Sequence, residues 1–441
     1  MLESGLSVLI LIGCLLVGLP IGFGFAVAVL FMIFTLGYDP QFLLPYSFFR
    51  MRSILLLSIP FFIIAGGIME EGNITRPLIG FVDTIVTKVR GGLGAVSAIS
   101  CAIFGAISGS AAAAISCIGP IMIPRMEEEG YPRGYATSLV TASAGIAVLI
   151  PPSFCMILYG WITNTSVTAC FLAGAFPGVI LTILFIIINY FAVGRYPVKK
   201  PQPWGSMKQV GRDVVSTGWR ALPALTMPVL ILGSIYGGVA TPTEAAAVAA
   251  VYAVPIGFFV YRGLTIKGLG RTLIKSGVTI GAIMLLLFFA MMLGRMFIME
   301  QVPQSIGKWM VSLSDNRIVI LLMCNVIMII FGMFMDDLTS MIIAAPLLLP
   351  VVLQVGVSPV HFAAIVTTNV MMGCYTPPMA PMIYLGQRIA HTTFPDMFKS
   401  SMTLVVLGYL PTVLITTYFP PIAEWLPVAI LGERILARPP V

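Results

Sequence analysis

The chain has 441 residues, of which 59% are hydrophobic and only 9% charged, with a net charge of +7 and a mean hydropathy of +1.02. An average soluble domain is about 25% charged, so this composition excludes a soluble globular protein and predicts a polytopic protein in a lipid bilayer. Seven cysteines without CxxC spacing and only two histidines, His361 and His391, argue against a disulfide framework, a zinc site or a haem site. The basic excess records which loops stay in the cytoplasm and carries no sign of nucleic-acid binding.

A spanning helix needs roughly 20 mostly apolar residues. In chain order the pattern predicts spans over 5–35 (one long helix containing Pro20), 53–70, 135–161, 166–193, 222–240, 243–261, 277–299, 360–388 and 402–419. The first run has no small-residue cleavage site after a short core, so it reads as a retained helix rather than a signal peptide. Two further regions, 92–124 and 318–355, are apolar but interrupted, at Ser108-Gly109-Ser110 and at "MDDLTS" from Met335. Each half has about 15 residues, short for a crossing. The expectation is a re-entrant hairpin in each region, which protein or a water-filled cavity must cover. "TPTEAAAV" from Thr241 carries a capping Thr, a first-position Pro and a capping-box Glu244, and marks a sharp helix start. Two basic segments, around 206–220 and 264–275, have opposed apolar faces and read as amphipathic helices on the inner membrane surface.

Two double prolines stand inside spans, in "PPSFCMILYG" from Pro151 and "PPMAPMIYLG" from Pro377, 226 residues apart. The same offset carries Ser110 to Asp336, Pro120 to Pro346, Pro124 to Pro350, Gly130 to Gly356, Thr141 to Thr367 and Ser143 to Asn369. Hairpin, turn, helix, double proline and helix therefore occur twice, ungapped. Charge placement orients the copies. Arg195, Lys199, Lys200, Lys208, Arg212 and Arg220 form the densest basic run, and Arg262, Lys267, Arg271 and Lys275 the next. With both inside, Lys88, Arg90, Arg125 and Arg133 also fall inside, so the first hairpin opens inward and the second outward. Lys308 and Arg317 fall outside, against the trend. Inverted repeats with paired broken helices are the sequence signature of a secondary transporter.

A proline removes a backbone donor, so Ala147 to Ile150 and Gly373 to Thr376 are expected to leave carbonyl oxygens free at mid-depth. Such oxygens suit a small hard cation such as sodium, and half-helix N-termini suit an anionic substrate. The hairpin tips supply the facing wall, Ser108, Gly109 and Ser110 in one half and Asp336, Asp337 and Thr339 in the other. An intramembrane carboxylate is a functional candidate by default, although Asp337 also reads as a helix N-cap. Ser143 and Asn369 are candidates for substrate contact or for cross-linking helices, and Arg388 for a snorkelling anchor or a carboxylate partner.

"FGAISGSAAAAISCIGPIMIP", "LIPPSFCMILYG", "VATPTEAAAVAAVYA", "FGMFMDDLTSMIIAAPLLLP" and "YTPPMAPMIYLG" together resemble the large membrane subunit of TRAP transporters, the DctM family, over nearly the whole chain. The resemblance implies an all-α fold of inverted repeats in the bacterial inner membrane, and sodium-driven, elevator-type import of an organic acid such as a C4-dicarboxylate or sialic acid. It implies two partners, a small four-helix membrane subunit and a periplasmic substrate-binding protein, with the small subunit expected as a separate chain. By matching positions, one sodium set is Ser108, Gly109, Ser110, Ala147, Ile150 and Pro152. The other is Asp336, Asp337, Thr339, Gly373, Thr376 and Pro378, with Ser143, Ser153, Asn369 and Arg388 toward substrate. The doubled Asp336–Asp337 departs from the single Asp usual there. Expected segments are scaffold 1–91, first transport repeat 92–165, scaffold and arms 166–299, second transport repeat 300–390, and a C-terminal helix with tail 391–441. No enzyme-like His, Cys or paired-carboxylate constellation appears outside Asp336–Asp337. A standalone sodium/carboxylate carrier of the same superfamily would share every feature and need no binding protein.

Overall fold

The computed structural model describes residues 2–199 and 207–436. Lys200 of the inner basic run and residue 206 of the first amphipathic segment lie outside the described residues. Regular structure among the described residues is all helical, and nine helical stretches are long and apolar enough to cross a membrane.

The run expected as one helix over 5–35 is two, α1 (Leu2–Leu16) and α2 (Ile21–Leu36). Gly18 turns through a left-handed conformation before Pro20, and Gly24 of α2 packs against Leu11 and Cys14 of α1. Two short helices follow that a span criterion does not see: α3 (Pro40–Met51), capped by Asp39, and, after α4 (Ser58–Glu71), α5 (Thr75–Val86). The first hairpin is α6 (Gly92–Ser108) and α7 (Ala111–Glu128). The first double proline interrupts α8 (Arg133–Ala144), the single turn α9 (Ile146–Leu149) and α10 (Phe154–Thr163). Then come α11 (Val167–Ala192), α12 (Met207–Tyr236), α13 (Pro242–Pro255), α14 (Ile266–Met299) and α15 (Val302–Leu313). The second hairpin is α16 (Arg317–Phe334) and α17 (Asp337–Gln354), and the second broken helix is α18 (Pro359–Cys374) and α19 (Pro381–Ala390). A π turn, Val405–Tyr409, joins α20 (Phe394–Leu404) to α21 (Leu410–Tyr418), and α22 (Pro421–Leu431) closes the fold.

Three expectations change. The amphipathic segments are not separate surface helices: they are the first turns of α12 and α14, unbroken helices of 30 and 34 residues, about 45 and 51 Å long. No residue between the basic segment and the apolar span stops either helix. The hairpin arms are 17 or 18 residues, longer than the expected halves, and α7 continues into a polar end from Arg125 to Glu128. By length and composition α16 and α17 could each cross a membrane. Finally α11, within the segment expected as scaffold, packs on α6, α9, α10, α18 and α22 and so belongs with the broken helices.

The remaining packing forms two groups, joined where α5 lies along α6 and where α4 and α14 touch α6 and α17. Helix α4 lies on α13 and α14, α5 on α12, and α2 and α3 on α14. The second group holds the two hairpins, the two broken helices, α11 and α20–α22. Loop contacts gather at two ends. At one, Gly72 meets Gly263, Gly130 meets Pro197 and Gly134 meets Asp396, while Asp83 pairs with Arg125 at 2.9 Å. At the other, Tyr38 bonds Glu300, Thr243 bonds the Ile54 carbonyl, Tyr159 bonds the Pro359 carbonyl and Ser358 bonds Glu424. The inner basic residues of the charge argument belong to the first end.

Without a hydrophobic drive between helices in lipid, close approach at small residues holds such bundles together. Gly332 of α16 and Gly373 of α18 touch backbone to backbone; a Cβ on Gly332 would lie 2.5 Å from the Val370 carbonyl oxygen. Gly332→Ala is therefore expected to cost about 1–3 kcal/mol by overpacking. Gly281→Ala, on an open helix face with nothing within 4 Å, should be neutral or stabilising by up to about 1 kcal/mol. Thermal unfolding of the two purified variants in one detergent checks the contrast.

Candidate functional site

Pro151 and Pro152 bring no N–H to the carbonyls of Ala147 and Val148. Among the described residues no backbone N–H reaches the oxygens of Ala147, Val148, Leu149 or Ile150. The first hairpin tip closes on this break. Gly109, left-handed at φ 61, passes so near the Pro152 carbonyl that a Cβ would lie 2.5 Å from its oxygen, and the Phe154 N–H donates to the Gly109 carbonyl at 3.3 Å. Gly105 lies against Ala147, and Gly66 of α4 backs Ser108. Ser108, Gly109, Ser110, Ala147 and Pro152 are thus one cluster; Ile150 turns its side chain away, onto Gly178 of α11.

The second half has the same register and different chemistry. Both tips start their outgoing helix with the same cap: Ser110 Oγ accepts from the Ala113 N–H at 3.4 Å, and Asp336 Oδ1 from the Thr339 N–H at 3.1 Å. The cap is therefore Asp336 and not Asp337, because the helix begins one residue earlier than the pattern suggested. Asp337 accepts from the Leu338 N–H and stands beside the Cys155 thiol of α10, so the second tip also touches the first broken helix. The expected row of free carbonyls from Gly373 to Thr376 is partly closed: the Thr376 N–H donates to the Gly373 oxygen at 2.8 Å. Its hydroxyl donates to the Met372 oxygen at 2.7 Å. Gly373 lies beside Gly332, and the Cys374 thiol reaches the Met335 carbonyl at 3.7 Å, which brings this break to its own tip. Pro378 is exposed and points out of the cluster. Both double prolines have a cis bond between them.

Of the four residues placed toward substrate, Ser143 and Ser153 are fully buried with hydroxyls that have no hydrogen-bond partner. Asn369 cross-links helices: its Nδ2 donates to Asn325 Oδ1 of α16 at 3.0 Å, and Thr417 of α21 donates to the same oxygen at 3.2 Å. Arg388 stands exposed at the far end of α19 and is not brought to the breaks. Sequence reading missed Tyr375 and Tyr409, whose hydroxyls take the carbonyls of Thr141 and Ala142. Tyr375 adjoins Thr376-Pro377, a local signal; Tyr409 comes from outside both repeats and had none.

Thr141, Ser143, Ser153, Thr339 and Ser340 all keep buried hydroxyl oxygens without a partner. Leaving such groups unpaired normally costs about 1–3 kcal/mol each. Hydroxyl, carbonyl and carboxylate oxygens together are the donor set of a hard cation, and no group of three His, Cys, Asp or Glu suited to another metal occurs among the described residues. The residues fit sodium.

Apolar helices of membrane length around two broken helices and two hairpins define a polytopic membrane transport protein. The chain matches, over residues 8–422, the family described as the tripartite ATP-independent periplasmic transporter, DctM component, and belongs to it. It is a transporter permease of the bacterial inner membrane and not an enzyme. It is 35% identical over 411 residues to the isethionate TRAP transporter permease protein DctMQ of Oleidesulfovibrio alaskensis, covering 92% of this chain and 64% of that protein. It is 33% identical to the C4-dicarboxylate TRAP transporter large permease protein DctM of Pseudomonas aeruginosa, over 84% of this chain and 86% of that protein. With the sialic acid TRAP transporter large permease protein SiaM of Vibrio cholerae the identity is 32% over 96% and 97%. Among solved structures it is similar to the YdaH transporter of Alcanivorax borkumensis, with a TM-score of 0.56 at 14% identity over 86% of this chain and 88% of that one. MtrF of Neisseria gonorrhoeae gives a TM-score of 0.54 at 14% identity over 88% and 85%. These two share the fold.

The hydrogen bonds separate Asn369 from Ser143. Asn369→Ala is expected to lower stability by about 1–3 kcal/mol, since it strips a buried partner from Asn325. Ser143→Ala, which removes a hydroxyl with no protein partner, should leave stability within about 0.5 kcal/mol. Thermal unfolding of both variants without substrate checks this.

Proposed function

We propose that this chain is the permease of a sodium-coupled importer of an organic acid, working by elevator-type alternating access. The observation that carries the reading is the pairing of each hairpin tip with a broken helix, in one register, around buried oxygens that lack partners. A carboxylate substrate fits beside them, at the N-terminus of α10 where Ser153 stands uncapped. Sodium held by these oxygens would supply the driving gradient and a positive charge beside the substrate's carboxylate. The chain's own residues do the rest: the tips close over the breaks, and the surrounding helices exclude lipid and water.

The re-entrant, inverted arrangement of the hairpins is supported by the two ends of the molecule, since the first hairpin's outer termini gather with the basic loops and the second's with the opposite end. For a moving body made of the hairpins, broken helices and α11, the boundary with α2–α5 and α12–α14 is the contact of α5 on α6, with smaller contacts of α4 on α6 and α14 on α17, and the polar ties across it are weak. The Asp83–Arg125 pair is partly exposed, with side chains 25% and 39% accessible; such pairs contribute about 0–1 kcal/mol. At the other end Arg50 of α3 lies 5.5 Å from the Trp161 ring of α10. The substrates in the relatives' names, C4-dicarboxylate, sialic acid and isethionate, support an organic anion. The tripartite family and the permease named DctMQ support a small four-helix membrane subunit and a periplasmic binding protein as partners.

The test is uptake into vesicles under inward sodium, potassium or proton gradients, with and without a candidate binding protein. Uptake should require sodium and the binding protein; equal uptake under all three gradients would sink the sodium reading, and full uptake without the binding protein would favour a standalone carrier. Asp336→Ala or Asp337→Ala should raise half-saturating sodium by about tenfold, or 1.4 kcal/mol. For the motion, single cysteines at Ser110 and Asp336 in a cysteine-free background should change their labelling rates in opposite directions when sodium, substrate and binding protein are added. Rates fixed under every condition would mean static hairpins.

A further inference from the structure

Two tyrosines tie the broken helices to each other. Helix α8 tightens at its end: the Gly145 N–H donates to the Ala142 oxygen at 3.1 Å, a three-residue reach, and so leaves the Thr141 oxygen, its usual acceptor, free. The Tyr375 hydroxyl donates to that Thr141 oxygen, and the Tyr409 hydroxyl donates to the Ala142 oxygen at 2.9 Å. The two rings stack with centroids 5.2 Å apart and planes at 20°, and both side chains are buried. Space for them comes from Gly145, where a Cβ would fall 2.0 Å from Tyr409 Oη and 3.1 Å from the Tyr375 ring.

Placement makes this more than a packing detail. Tyr375 ends α18 and lies between Gly373 and Thr376, so it cannot move independently of the second break. Thr141 and Ala142 lead within two turns into Ala147, so they cannot move independently of the first. Tyr409 closes the π turn of the C-terminal helix, a local insertion frequent at functional sites, and packs edge-on against Phe185 of α11 at 5.5 Å. Close-packed interiors transmit such displacements.

We propose that the Tyr375–Tyr409 pair couples the two cation sites, with both tyrosines as positioning residues, so that filling one site raises the affinity of the other. The proposal rests on the sodium reading above. Coupling is reciprocal by linkage, so it appears as a steep sodium titration.

The experiment uses the purified full chain in detergent, titrated with sodium chloride against choline chloride at constant ionic strength. Two readouts are taken, the thermal midpoint and the number of radioactive sodium ions bound at saturation. The unsubstituted protein should titrate with a Hill coefficient approaching about 2. Tyr375→Phe and Tyr409→Phe, which keep the stacked rings and delete only the hydroxyls, should bring it to about 1 while the number of bound ions stays the same. Tyr159→Phe is the control: its hydroxyl also crosses between the repeats, to the Pro359 carbonyl at 2.6 Å, but far from the breaks. It should lower the midpoint and keep the steepness. No sodium response in the unsubstituted protein would remove the sodium reading and the coupling together. A sodium response of unit steepness in the unsubstituted protein, or of equal steepness in both Phe variants, would leave the sites standing and overturn the coupling alone.

Discussion

Hydrocarbon offers no hydrogen-bond partner to a peptide group, and the rest of this structure depends on that constraint. Each double proline frees backbone oxygens that lipid could not satisfy, so protein closes around the breaks, completely at Pro151–Pro152 and partly at Pro377–Pro378. The membrane-length window of Arg133–Thr163 is 94% buried, against 33% for Ile266–Met299 and 28% for Lys208–Tyr236. Every residue from Pro359 to Cys374 is buried. Hairpins, α11 and the C-terminal helix are the covering that makes the breaks tolerable, which is why α11 sits with them despite its place in the sequence.

The covering is tight because it is made at residues without bulk. Gly105 against Ala147, Gly109 against Pro152, Gly332 against Gly373 and Gly145 beneath the tyrosines let backbone meet backbone. What cannot be covered by contact is satisfied by borrowed donors, Thr376 in the second break and the two tyrosine hydroxyls beside the first. Where tips and breaks meet, oxygens without partners among the described residues remain: the Ala147, Val148 and Ile150 carbonyls and the Ser153 hydroxyl at the first, and the Thr339 and Ser340 hydroxyls at the second. Equal register does not give equal chemistry: the first break stays open to a ligand, while the second is partly closed by its own backbone and supplies carboxylates instead.

Much of this was legible in the chain. Composition gave the solvent, hydropathy gave most of the helices, and the offset of 226 residues gave the pairing of hairpin with double proline, because prolines and glycines report backbone geometry directly. The shared N-cap at Ser110 and Asp336 is that repeat expressed as a hydrogen bond. Legibility failed where a local rule has no access to neighbours. Helices α3 and α5 are too short for a hydropathy window, and the helix start at Asp336 rather than Asp337 turns on a single residue of register.

By itself the sequence determined where the backbone breaks, which residues are small, and which loops are basic, since these follow from covalent chemistry at each position. Only the tertiary structure decided that Asn369 braces α16, that Arg388 stands apart, that α11 joins the broken helices, and that Tyr409 reaches Ala142 across 267 residues of chain. The reason is physical. A hydroxyl or amide finds its partner through the packing of whole helices, and in a membrane that packing is chosen by close contact between surfaces, which no local pattern encodes.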